Sequence, residues 1–166
     1  VFIDSDPTPY EAHKIKVLSI KTIYADQIRD RTKLWELRTY NPKIPDNRWL
    51  ALYESAPKQS IESIIKVGRT FKMPPEEAWH KLGHTFGIEA DDYFLYYRKR
   101  DWAFGLEVLD VKNIEPLKLH KLREECGFAV PQMCMFFRSP PESVRQAITD
   151  CSWNTSIAKC DPSSTN

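Results

Sequence analysis

The stretch Lys33-Leu34-Trp35-Glu36-Leu37-Arg38 decides how this chain is read. It has the pattern of a strand over Lys33–Thr39, entered directly from a basic helix over Ile23–Arg31. Asn41-Pro42 and Pro45-Asp46-Asn47 supply the turn chemistry that ends it. Side chains alternate along a strand, so Leu34, Glu36 and Arg38 are expected on one face and Lys33, Trp35 and Leu37 on the other. A carboxylate and a guanidinium two residues apart are costly to bury unless they pair or face a wet cleft. The pattern predicts a site rather than a plain core strand.

Working outward, Ile15–Ile20 reads as a strand before the helix, whose inner side is expected to carry Ile23, Tyr24, Gln27 and Ile28. Beyond the turn, Arg48–Glu54 and Ile61–Phe71 read as two further strands. Met73-Pro-Pro-Glu-Glu77 starts a helix to about Leu82, because proline fits the first turn and acids suit the N-terminal dipole. Gly83 and Gly87 break it, and a second helix spans about Glu89–Arg98. Trp102–Val111 alternates as a strand, Leu119, Leu122 and Cys126 mark a short helix, and Pro131–Phe137 is a last strand. Ser139-Pro-Pro-Glu142 opens a helix to about Thr149. Strands separated by short helices without a βαβ repeat predict an α+β domain around a small twisted barrel. The expected organisation is an acidic arm at 1–13, the domain at 14–150 and a tail at 151–166.

The 166 residues can bury a real core, and 5 glycines against 12 prolines contain no Walker or dinucleotide-binding glycine pattern. A net charge of +1 means that binding to nucleic acid must come from a local basic patch. No apolar run approaches the ~20 residues that span a bilayer, and Val1-Phe-Ile-Asp4 has no signal-peptide pattern. The missing initiator Met reads as a trimmed chain or a domain cut from a longer one. Cys126, Cys134, Cys151 and Cys160 lack metal-ligand spacing, and the first two read as small core residues. A reduced, cytoplasmic protein without membrane contact is the expectation.

Basic residues gather at Lys14, Lys16, Lys21, Arg29, Arg31, Lys33 and Arg38. A second group is Tyr96-Tyr97-Arg98-Lys99-Arg100-Asp101-Trp102, where cations suit phosphate and aromatics suit base stacking, or where a solvated helix end simply follows core aromatics. His80 and His84 have the i, i+4 spacing of metal ligands but no third ligand, and read as helix-end residues. No nucleophile elbow is present. Tyr53 ends a strand beside a loop, where a pocket wall is expected.

Taken together, these segments resemble the ASCH (activating-signal-cointegrator homology) family within the PUA-like fold. Its hallmark is Gly-x-Lys-x-x-Glu-x-Arg, matched by Arg31-Thr-Lys33-Leu-Trp-Glu36-Leu-Arg38 except that Arg31 replaces the glycine. Leu18-Ser-Ile-Lys21, Leu50-Ala-Leu-Tyr53-Glu54-Ser55 and Ala103-Phe-Gly-Leu-Glu107-Val are supporting matches, and the resemblance spans about Ile15–Phe137. It implies a β-barrel of about five to six strands surrounded by short helices. It also implies a cleft lined by the Lys-Glu-Arg strand that serves RNA or modified-nucleotide recognition. A related branch resembles amidohydrolases acting on N4-acetylcytidine, with the motif lysine catalytic and a threonine where Glu36 stands.

The leading expectation is a module that binds RNA, DNA or a modified nucleotide through Lys21, Lys33, Glu36, Arg38, Tyr53, Arg98, Arg100 and Trp102, with no cofactor and no metal. One alternative is a modified-nucleoside hydrolase or ribonuclease with Lys33 as base and Glu36 beside it. That role requires the Lys33 pKa to fall well below the free value. The other alternative is a regulatory interaction domain in which the Lys-Glu-Arg strand only holds the fold together.

Overall fold

A computed structural model describes residues 15–157 together with the backbone of Phe2–Ile3. Val1, residues 4–14 and 158–166 and the side chains of 152–157 lie outside the described residues; they include most of the expected arm, the end of the expected tail and Cys160. The elements follow in the order β1 (Phe2–Ile3), β2 (Lys16–Ile20), α1 (Thr22–Arg29), β3 (Trp35–Arg38), β4 (Arg48–Glu54) and β5 (Ser60–Met73). After them come α2 (Pro75–Leu82), a 3-10 turn (Gly83–Thr85), α3 (Ala90–Tyr96), β6 (Ala103–Lys118), α4 (Leu119–Cys126), β7 (Cys134–Phe136) and α5 (Glu142–Ile157).

One sheet in the order β3-β6-β5-β4-β2-β7 carries the architecture, and β1 pairs with β5 beside that path. Most pairs are antiparallel; β2 and β4 run parallel, joined by the crossover that contains α1 and β3. β5 and β6 are long because they are bent. Their register shifts between Ile61 and Ser63, between Lys66 and Val67, and between Val67 and Thr70. Such bulges kink a strand and increase its twist, and here they curl the sheet into a half-barrel. The fold is therefore the PUA-like α+β arrangement expected, with six strands along the main path.

β6 runs well past Val111, where alternation ends in the sequence. Its outer half, with Lys112, Asn113, Glu115 and Pro116 exposed, is held by backbone pairing to β5 and packs only Ile114 and Leu117 into the core, too few to reveal it. α1 also departs from expectation. It buries Ala25 and Ile28, whereas Ile23, expected on the inner side, is 62% exposed.

Three apolar groups fill the molecule. Val17, Tyr53, Ile61, Leu122, Phe128 and Phe137 pack beneath α4 and α5. Leu18, Ile28, Leu52, Ile65 and Leu106 pack between α1 and the curled sheet. Trp35, Phe71, Phe86, Tyr93 and Tyr97 form an aromatic group between β3 and the α2–α3 segment. Each such side chain contributes about 1.5–3 kcal/mol on full burial. Gly105 is required in the third group, since a Cβ there would lie 2.2 Å from the Phe71 ring.

Candidate functional site: a charged cleft between α1 and β3

The site begins with the end of α1. Arg31 N–H donates to the Ile28 carbonyl, and the N–H groups of Thr32 and Lys33 both donate to the Gln27 carbonyl. To make this turn Arg31 adopts φ 66°, the left-handed conformation for which glycine is the usual residue. The turn forms with arginine in place. Thr32 reinforces it by hydrogen-bonding to Asp30 Oδ1 through both its backbone N–H and its hydroxyl.

Lys33 thus stands before β3 begins at Trp35 and is not bound by strand alternation. That resolves the placement of the charged triplet. Within β3, Trp35 and Leu37 pack into the aromatic group while Glu36 and Arg38 face the cleft. Lys33 reaches the same cleft from the helix junction, with Nζ 3.7 Å from Glu36 Oε2. On the other side of Glu36, Arg38 NH2 lies 2.9 Å from Oε1.

All three charged residues are buried, and the two cations each have an anchor outside the triplet. Lys33 Nζ donates to the Phe86 carbonyl at 2.7 Å and sits 5.1 Å from the Tyr24 ring centre. Arg38 NH2 donates to the Ser19 carbonyl at 2.7 Å, and the Arg38 carbonyl accepts from the Tyr97 hydroxyl at 2.9 Å. Glu36 Oε2 and Arg38 Nε remain buried without a hydrogen-bond partner. A buried polar atom left unpaired costs about 1–3 kcal/mol, more when charged.

Burial holds the Lys33 ammonium below the usual lysine pKa range; the nearby Arg38 acts in the same direction and Glu36 in the opposite one. Burial also raises the Tyr24 phenol, helped by the negative charges of Asp92 and Glu36. Tyr40, with a buried hydroxyl lacking a hydrogen-bond partner, is pushed up to about 12 by burial although the charge of Arg38 works against the shift.

The cleft encloses about 510 Å³. Lys33, Glu36 and Arg38 form its floor, Ser19, Lys21 and Tyr24 one wall, and Ile88, Asp92, Leu95 and Tyr96 the other. Leu95 and Tyr96 are large apolar surfaces left open to solvent at this wall, 63% and 45% exposed. The arrangement can give donors from Lys33 and Arg38, accept a hydrogen bond at Glu36, and hold a flat apolar group between tyrosines.

Of the residues expected at the site, Lys21, Lys33, Glu36 and Arg38 come together here, and the others do not line the cleft. Tyr53 is a correction: it is buried against Phe128, ring centres 5.4 Å apart, in the apolar group beneath α4. Strand alternation on β4 turns it away from the cleft. Arg98 and Arg100 are exposed beyond the end of α3, and Trp102 stacks with Lys72, whose Nζ is 4.3 Å from the ring centre. Tyr24, expected only on the inner side of the helix, Tyr96, from the second basic and aromatic group, and Asp92 also line the cleft. Tyr24 shares α1 with the inner residue Ile28, but nothing local brings α3 alongside it.

No family model matches the chain, and no curated protein matches it in sequence. Solved structures do. The crystal structure of ASCH from Zymomonas mobilis is similar at 20% identity with a TM-score of 0.73, covering 82% of this chain and 94% of that one. Two substituted forms of the same bacterial protein are also similar, with TM-scores of 0.73 and 0.70. The curled sheet, its helices and their order are those of an ASCH structure: this chain has the ASCH fold.

Proposed function

We propose that the cleft binds a nucleotide, as part of RNA or DNA or as a modified nucleotide, and that the protein is a binding module. The observation that carries this reading is the buried triplet Lys33-Glu36-Arg38, which leaves Glu36 Oε2 and Arg38 Nε buried without a hydrogen-bond partner beneath an open cleft. An ion pair serving the fold alone gains nothing from unpaired atoms or from an opening above it. A nucleobase carries adjacent donors and acceptors on a flat apolar ring, matching Glu36 and Arg38 below and Tyr24 and Tyr96 at the sides. Lys21, exposed at the mouth, is placed for a phosphate.

Titration with short RNA and DNA oligonucleotides at several salt concentrations tests this. Binding that weakens as salt rises, and is lost in Arg38→Ala, is the expected result. Flat, salt-independent baselines for every oligonucleotide overturn it.

One observation favours a second reading, hydrolysis of a modified nucleoside: burial lowers the pKa of Lys33, as a lysine base requires. Glu36 and the Phe86 carbonyl both favour the charged ammonium, which is why binding is put first. Incubation with N4-acetylcytidine separates the two. Turnover abolished by Lys33→Ala establishes hydrolysis, and no turnover leaves binding alone.

A further inference from the structure

We infer that the ligand is a single strand of at least two nucleotides, with the second nucleotide lying in a groove that continues the cleft between α1 and the α2–α3 segment. The inference rests on the nucleotide reading of the cleft and adds to it the polymeric nature of the ligand. The groove encloses about 730 Å³ and shares Tyr24, Ile88 and Asp92 with the cleft, so the two compartments share a wall at these residues. Each lies within the ~300–1,000 Å³ range of small-molecule pockets, and the cleft alone suits one nucleoside unit.

The groove has the two kinds of surface that a flanking nucleotide uses. Ile23 and the half-buried Trp79 give it an apolar side. The exposure of Ile23, unexplained by packing in α1, is accounted for as a surface for a base. His80 and His84 give it ring N–H donors from α2 and the turn after it. Among the described residues no group of three or more metal-ligating side chains occurs. Glu89 and Asp92 line the α3 side and repel phosphate. The strand is therefore oriented with its phosphate toward the histidines and its sugar edge toward α3.

The experiment compares the four nucleoside 5′-monophosphates with their homodinucleotides and homotetranucleotides at one low salt concentration. It uses the wild-type chain, a His80→Ala/His84→Ala double variant and Ile23→Ala. All three positions are solvent-exposed, and circular dichroism confirms that the variants fold. The dinucleotide that suits the cleft is expected to bind about tenfold or more tightly than its monophosphate. Both variants lose most of that gain and leave monophosphate affinity unchanged. Equal affinity for monophosphate and dinucleotide, or a gain that survives in both variants, overturns the groove while the cleft reading stands. Failure of every nucleotide and oligonucleotide to bind overturns both.

Discussion

Arg38 at the end of β3 donates to the carbonyl of Ser19 in β2 at 2.7 Å, although the two strands are not neighbours in the sheet. The curl set by the β5–β6 bulges brings these strands face to face across the cleft, and one guanidinium spans them. The same guanidinium holds Glu36.

Arg38→Ala therefore breaks the ion pair and the cross-cleft bond together, leaving a buried carboxylate with only Lys33 beside it. The expected cost is about 3–5 kcal/mol in urea unfolding. Arg38→Lys keeps the charge but replaces the planar guanidinium, whose one NH2 nitrogen meets both Glu36 and Ser19, with an ammonium on a shorter stem, and it should recover less than half of that loss.

Lys33 makes stability depend on pH in the alkaline range. Its folded pKa is depressed by burial, so between that value and the unfolded value of ~10.4 the unfolded chain holds more protons. Stability from this group therefore rises as pH climbs through that window and is flat below it. The difference in unfolding free energy between wild type and Lys33→Met, followed from pH 7 to 10.5, should grow in favour of wild type. A difference independent of pH would contradict the burial of a charged ammonium at this position.

Arg31 carries the backbone strain of a left-handed turn without the residue suited to it. Arg31→Gly should stabilise the protein by about 0.5–1 kcal/mol, the relief of the left-handed penalty less the entropy of glycine in the unfolded chain. Thermal unfolding measures it. Because Arg31 does not line the cleft, ligand affinity should stay unchanged.

Gly105 meets the Phe71 ring, itself wedged between Trp35 and Phe86 at 5.2 and 6.1 Å between ring centres. Phe71 has nowhere to retreat. Gly105→Ala should cost about 1–3 kcal/mol by overpacking, read as a lowered denaturation midpoint at constant slope.

Tyr96 and Tyr53 separate the wall of the cleft from the core. Tyr96→Ala removes an exposed ring and should weaken oligonucleotide binding by about 1–3 kcal/mol with little loss of stability. Tyr53→Phe should leave binding untouched. Fluorescence titration of both variants checks this; the opposite ranking would move the site to the far side of β4.

Sequence reading succeeded where a pattern is local. The bounds of β4, Arg48–Glu54, follow from the apolar run Trp49–Tyr53 closed by turn residues at both ends. The partnership of Glu36 with Arg38 follows from their spacing on one strand. It failed where tertiary structure assigns the role. The pattern counts Lys33 into the strand because its charge interrupts no alternation, whereas the left-handed turn at Arg31 places it before β3 and frees its direction. The pattern turns Ile23 inward because isoleucine usually is, and its exposure depends on α1 meeting the sheet along Ala25 and Ile28. The cleft draws on β2, α1, β3 and α3, and no spacing in the chain records their meeting.

Glu54 carries a last consequence. Fully buried at the end of β4, it takes Arg29 of α1 at 2.6 Å and Lys58 at 3.3 Å. α1 and its N-cap supply Tyr24 and Lys21 to one jaw of the cleft and deliver Lys33 to the floor, yet the helix's own grip on the sheet includes this carboxylate, which is not part of the cleft lining. The cleft behaves as a vice whose screw is on the outside: loosening Glu54 would change its width without touching a residue that meets the ligand.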